Sequence, residues 1–167
     1  AGLRAIAHAL PACHAAGGDR AARTMMLEGA YLAGTALANV KMGLHHGICH
    51  VLGGATGAAH GDLNAVMLPQ VMRFNLAAAA PQLALAAAAL GVATPGMDER
   101  AAAAAGADVV AGWVAAMGLP TRLRDLGVGE EQLPALAALG YVNSTVRSNP
   151  RLIGDPGEIE ALLRAAW

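Results

Sequence analysis

Several things are scarce in this 167-residue chain. There is one lysine, Lys41, against ten arginines, and the formal net charge is −1. No basic stripe is left to track a phosphate backbone, so nucleic acid is excluded as a partner. Only Cys13 and Cys49 are present. Two distant cysteines make no disulfide framework, which points to a reducing, cytoplasmic setting. Aromatics number five, with Phe74 the one phenylalanine. No segment alternates apolar and polar residues as a half-buried strand does, and no period repeats. The longest uncharged stretch, Phe74 to Met97, is interrupted by Asn75, Pro81, Gln82, Gly91 and Pro95. It is read as not spanning a membrane. No signal-peptide pattern opens the chain, so the sequon Asn143-Ser144-Thr145 carries no meaning there.

Alanine is abundant, at about a quarter of all residues, and the apolar fraction is 56%. Alanine is the best helix former and the smallest apolar side chain, so such a chain packs helices closely. The expectation is one all-α domain over residues 1–167, a multi-helix bundle. Helices are expected at 2–9 and, restarted by Pro11, at 11–16. Asp19 caps another over 20–40, whose apolar side includes Met26, Leu27, Tyr31 and Leu37. The histidine-bearing helix covers 43–53. A helix over 60–79 is kinked by Pro69. Pro81 opens an alanine helix ending at Gly91, and Asp98 caps a long helix to Met117. Shorter pieces follow at 122–126 and 130–139, and residues 157–166 close the chain. Trp113 and the methionines are assigned to the core. The chain begins at Ala1, already in a helical pattern and without a cap, which reads as a missing beginning.

Four of the six histidines, His45, His46, His50 and His60, fall within sixteen residues. Imidazole titrates near neutrality and is the commonest metal ligand. His46 and His50 are four apart and share a helix face. On one unbroken helix His60 would lie roughly 21 Å from His46, at about 1.5 Å per residue. Gly53, Gly54 and Gly57 lie between them and allow a turn that brings His60 back. No strand precedes these glycines, so they are rejected as a pyrophosphate-binding loop. His8 and His14 read as surface or structural. No Asp-x-x-x-His occurs anywhere. Any metal site built from His46 and His60, with His50 beside them, is therefore half a site. The segment Arg147 to Arg151 reads as a solvated loop, with contact to an anionic substrate as the sharper alternative. Asn64 is weighed between packing and holding a ligand histidine.

The run His46-Gly47-Ile48-Cys49-His50-Val51-Leu52-Gly53, then His60-Gly61, Asn64-Ala65-Val66-Met67-Leu68-Pro69 and Arg73-Phe74-Asn75, resembles the iron-containing alcohol dehydrogenase family. Gly43-Leu44-His45-His46, with Asn149-Pro150-Arg151 and the ending Ala161 to Trp167, is most like its maleylacetate reductases. Gly47 departs from them: they often carry lysine there, where the alcohol dehydrogenases often carry glycine. The resemblance implies the family's C-terminal helical domain, of the dehydroquinate synthase-like fold, with the N-terminal α/β nucleotide-binding domain absent. It implies His46 and His60 as ligands of Fe²⁺ or Zn²⁺. His50 lies near the nicotinamide and substrate, a catalytic and cofactor-binding position, and His45 is a catalytic candidate of the maleylacetate reductase form. The intact enzyme would be a cytoplasmic homodimer using NAD(P)H on a small carbonyl or dicarboxylate substrate. For a maleylacetate reductase, that reaction is reduction of maleylacetate to 3-oxoadipate in aromatic-compound degradation. An iron-dependent alcohol dehydrogenase of other substrate range is the alternative. A non-catalytic fragment or interaction module is the rival of another class. The 167 residues alone are expected to lack dehydrogenase activity.

Overall fold

The computed structural model describes residues 1–167. It contains eight α-helices and no strand. They are α1 (Gly2–Ala15), α2 (Arg20–Leu37), α3 (Leu44–Thr56), α4 (His60–Phe74), α5 (Leu76–Ala89), α6 (Glu99–Ala116), α7 (Leu133–Val142) and α8 (Pro156–Ala166). Short 3-10 turns occupy Leu123–Leu126, Glu130–Gln132 and Val146–Ser148. The expected all-α bundle is what forms.

The caps explain where several helices begin. The Asp19 carboxylate accepts from the Ala21 and Ala22 amides, Asp98 from Ala101, and Asp155 from Gly157. Each satisfies a donor that the first helical turn leaves free. Proline behaves differently from expectation at Pro11, where a restart was expected. α1 runs unbroken through Pro11 and α4 through Pro69. Each proline deletes one ladder hydrogen bond. Packing carries the helix past the gap: Ala9 is buried in α1, and Pro69 is itself buried in α4 between Met67 and Val71. The helix expected to reach residue 79 instead ends at Phe74, and the chain bends by 117° into α5. Ala79 then leaves helical dihedrals (φ −136°, ψ 24°) just before Pro81. No single helix is long and apolar enough to cross a membrane.

One main core organises the molecule. It joins Leu44, Ile48, Cys49 and Leu52 of α3 to Leu63, Val66, Met67 and Val71 of α4. Leu133, Leu136 and Ala137 of α7 and Ile159, Leu162 and Leu163 of α8 complete it. α6 packs on α4, and α5 on α6. This second layer meets through alanine and glycine: a Cβ on Gly106 would stand 3.1 Å from the Ala87 Cβ. The outer pair, α1 and α2, is attached through contacts of α1 with α5. The apolar side read for α2 is only partly used, since Leu27 and Tyr31 are exposed while Ala22 and Gly29 are buried. Of the methionines, Met67 and Met72 are buried and Met25 is exposed. Trp113 is half-buried, and its neighbour Val114 takes the buried position on α6.

Candidate metal centre

The centre is built on the α3–α4 hairpin. α3 is pinned by its buried side, Leu44, Gly47, Ile48, Cys49 and Leu52. That leaves His46 half-buried and His50 exposed on the other side, one turn apart. The helix runs past Gly53 and Gly54 and stops at Gly57, whose left-handed φ of 68° suits a residue without a Cβ. The Gly57 amide donates to the Gly53 carbonyl, the Thr56 hydroxyl donates to Leu52, and the Ala58 amide donates to the Thr56 hydroxyl. Two residues later α4 starts with His60.

This turn brings three imidazoles together. Ring centroids lie 4.3 Å apart for His46–His50, 5.8 Å for His46–His60 and 5.6 Å for His50–His60. One ring nitrogen from each lies within 4.8 Å of the others. Burial, with His50 and His60 adding to it, pulls the His46 pKa down. The neutral ring this favours is the form that ligates metal. The donor set fits a divalent transition metal, for which imidazole is a suitable ligand. No carboxylate joins the group.

His45 stands outside that group. It is half-buried, with Nε2 3.3 Å from the Asn64 backbone carbonyl of α4. A carbonyl only accepts, so the proton sits on Nε2 and the ring donates. Burial lowers its pKa, and the Asn64 contact opposes that shift. The Asn64 side chain does not touch a histidine ring. Its amide donates to the His60 carbonyl, 2.7 Å away. Cys49 lies fully within the core, and burial pushes its thiol up to about 12. It is therefore a packing residue, not a nucleophile. His8 and His14 are exposed on α1, as expected of surface histidines.

A second polar cluster supports the hairpin and joins two segments of the family motif, Arg73-Phe74-Asn75 and Asn149-Pro150-Arg151, whose pairing the sequence does not reveal. Asn75 and Asn149 exchange side-chain amide hydrogen bonds of 3.1 and 2.7 Å, and both are buried. The Asn149 oxygen also accepts from the Leu44 amide at the start of α3. Arg151 lies 3.9 Å above the Phe74 ring, donates to the Phe74 carbonyl and pairs with Glu158. Arg151 is thus committed to the fold, while Arg147 stays exposed beside a cavity of about 320 Å³. The partners are 74 and 77 residues apart, beyond the reach of periodicity or motif spacing.

The chain matches the family model described as Fe-containing alcohol dehydrogenase family, C-terminal, over residues 1–167. It is 37% identical over 165 residues to a 1,3-propanediol dehydrogenase of Citrobacter freundii, covering 99% of this chain and 42% of that protein. It is 50% identical over 94 residues to maleylacetate reductase 2 of Cupriavidus pinatubonensis, covering 56% and 26% respectively. The solved alcohol dehydrogenase from Oenococcus oeni superposes with a TM-score of 0.93 at 30% identity, covering 99% of this chain and 43% of that one. The chain thus spans less than half the length of these relatives. From its fold, its histidine hairpin and these matches, the chain belongs to the iron-containing alcohol dehydrogenase family and corresponds to that family's C-terminal domain.

Proposed function

We propose that this chain is the metal- and substrate-handling domain of an NAD(P)-dependent oxidoreductase of the maleylacetate reductase type. The observation that carries the reading is the convergence of His46, His50 and His60 on one open face of the α3–α4 hairpin. His46 and His60 are assigned to Fe²⁺ or Zn²⁺. When bound, such an ion supplies Lewis-acid polarisation of a carbonyl oxygen. His50 is assigned to the substrate side, where its exposed imidazole orients the carbonyl compound and delivers a proton to the oxygen as the carbonyl is reduced. His45 acts from behind, holding α3 against α4 through Asn64. The glycines at 53, 54 and 57 do not fit a dinucleotide, because they finish a helix and follow no strand. The pyrophosphate of the dinucleotide is therefore assigned to residues of an N-terminal nucleotide-binding domain, with His50 kept beside the nicotinamide, in a homodimeric intact enzyme. The free cysteines support a reducing, cytoplasmic setting.

A second reading, an alcohol dehydrogenase with another substrate range, is favoured by Gly47. A Cβ there would stand 2.7 Å from the Val146 side chain. The position has no room for the lysine that maleylacetate reductases often carry.

A chimera tests both. This chain replaces the C-terminal domain of the Cupriavidus maleylacetate reductase, and NADH oxidation is followed with maleylacetate and with 3-hydroxypropanal. Turnover of maleylacetate, reduced at least about 100-fold by His46→Ala or His60→Ala, supports the first reading, since loss of a ligand removes the Lewis acid. Turnover of the aldehyde alone selects the second. A folded chimera inert towards both overturns the assignment. The 167-residue chain by itself is expected to oxidise no NAD(P)H.

A further inference from the structure

We infer that the cavity between α7, the Val146–Ser148 turn and residues 151–153 is a binding site for a small organic acid, an apolar body carrying one carboxylate, with the carboxylate held by Arg147. The site needs no metal and no dinucleotide. It lies outside the histidine hairpin, so it stands or falls independently of the reading above.

The cavity offers about 320 Å³. Small-molecule sites start at about 300 Å³ and are mostly apolar, with a few placed polar groups. The walls here are Tyr141, Val142, Val146, Leu152 and Ile153. Val142 and Leu152 are 64% and 84% exposed. Two aliphatic side chains standing in water at the rim of a concavity are stabilised when an apolar group covers them.

Only one polar group of the lining is uncommitted. The Asn149 amide is used on Asn75, Leu44 and the Arg151 carbonyl. Arg151 is held by Glu158 and the Phe74 carbonyl, and the Tyr141 hydroxyl donates to the Gly154 carbonyl. Arg147 enters none of the ion pairs, which use Arg73, Arg151 and Arg164. No Asp or Glu occurs from Leu133 to Gly154, so no carboxylate of that stretch competes for it. A guanidinium presents a planar fork that matches a carboxylate. A neutral ligand leaves that fork idle, and a ligand as small as acetate leaves the apolar walls wet.

The walls are held before any ligand arrives. Asn149 fixes the Arg151 carbonyl, Tyr141 fixes the Gly154 carbonyl, and the Gly154 amide donates to Glu158. The loop from 149 to 154 is thus tied at both ends, and binding orders little besides Arg147. Through Val146 the ligand rests on the turn that packs against Gly47 of α3.

The test uses the 167-residue chain with benzoate as the probe, followed by amide NMR shifts. The expected result is saturable binding of one benzoate per chain, with the shifts centred on residues 141–153. Benzyl alcohol and acetate each keep one half of the probe. Both should bind at least about 10-fold more weakly, the alcohol for want of a charged hydrogen bond and acetate for want of apolar burial. Arg147→Gln should weaken benzoate by about 10-fold or more, and Arg147→Lys should recover part of that as a point charge without the fork. Leu152→Ser should weaken benzoate and leave acetate unchanged. Arg147 and Leu152 are exposed, so these variants should keep the fold, which circular dichroism checks. His46→Ala should bind benzoate as the wild type does. No saturable binding, or an affinity unchanged in Arg147→Gln, would overturn the site. Phenyl phosphate binding more tightly than benzoate would overturn the carboxylate assignment. Shifts centred on the α3–α4 hairpin and lost in His46→Ala would place the acid at the histidines and overturn this cavity as its site.

Discussion

Asn149 uses both ends of its side-chain amide inside the protein. Its nitrogen donates to Asn75 and to the Arg151 carbonyl, and its oxygen accepts from Asn75 and from the Leu44 amide. Removing it strands the Asn75 amide in a largely buried place. A buried group left unpaired costs about 1–3 kcal/mol, so Asn149→Ala is expected to lower stability by that amount in urea unfolding. Asn75→Ala should cost similarly. The double variant should lose less than the sum of the two, by about 0.5–3 kcal/mol, because one interaction cannot be broken twice. Additive losses would mean that the two amides do not act as a pair. Glu158 is a separate residue-level test. The Gly154 amide, and then Arg151, hold its carboxyl below the ordinary carboxylate range. A lowered folded-state pKa gives stability that is fully present above the unfolded value and lost as pH falls through the folded one. The stability advantage of wild type over Glu158→Gln should therefore be constant at neutral pH. It should shrink as pH falls from the ordinary carboxylate value down through the lowered one, as read from urea midpoints across pH.

At the scale of elements, α3 holds its position because Gly47 lets the Val146–Ser148 turn approach it. A Cβ at Gly47 would meet the Val146 Cγ2 at 2.7 Å, closer than side chains pack. Alanine raises helix propensity by about 1 kcal/mol over glycine, but overpacking costs about 1–3 kcal/mol, so the clash wins or balances. Gly47→Ala is expected to destabilise, and Val146→Ala in the same chain to restore part of the loss. A stabilised Gly47→Ala variant would contradict the packing. These elements also show where the sequence was legible. The caps Asp19 and Asp98, the alanine-rich helices and the α3–α4 turn follow from local chemistry. So does the meeting of His46 with His60, since glycine spacing and helical rise leave few other routes. The ends of α3 and α4 were less legible. Gly53 and Gly54 stay helical because Leu52 anchors them to the core, and Gly57 alone takes the left-handed turn. α4 stops at Phe74 because Asn75 is claimed by Asn149, a partner 74 residues away. Pro11 was overruled as a helix break by the packing of Ala9 beside it. Long-range amide pairing and packing leave no periodic mark in a chain.

The whole molecule divides by how its helices are held. Every member of the main core comes from residue 44 onward. α1 and α2 bury little more than Ala9, Ala22 and Gly29, and they meet the rest through α5. Local opening follows buried apolar packing, so this outer pair should open separately, at lower free energy than the core. Native-state hydrogen exchange checks this directly: amides in α1 and α2 should exchange well before those of α3, α4 and α8. Adding Zn²⁺ sharpens the experiment. A ligand that binds only the folded site stabilises it by RT ln(1 + [L]/Kd), about 2.7 kcal/mol at 100 times Kd. Amides of α3 and α4 that exchange through opening of the core must gain that protection, because opening destroys the meeting of His46, His50 and His60. Amides of α1 and α2 that exchange through their own opening must gain none, since the histidine hairpin stays intact throughout. Equal gains in both regions would mean that the chain opens as one cooperative unit. The alanine-lined layer of α5 and α6 would then couple the outer helices to the histidine hairpin instead of insulating them from it.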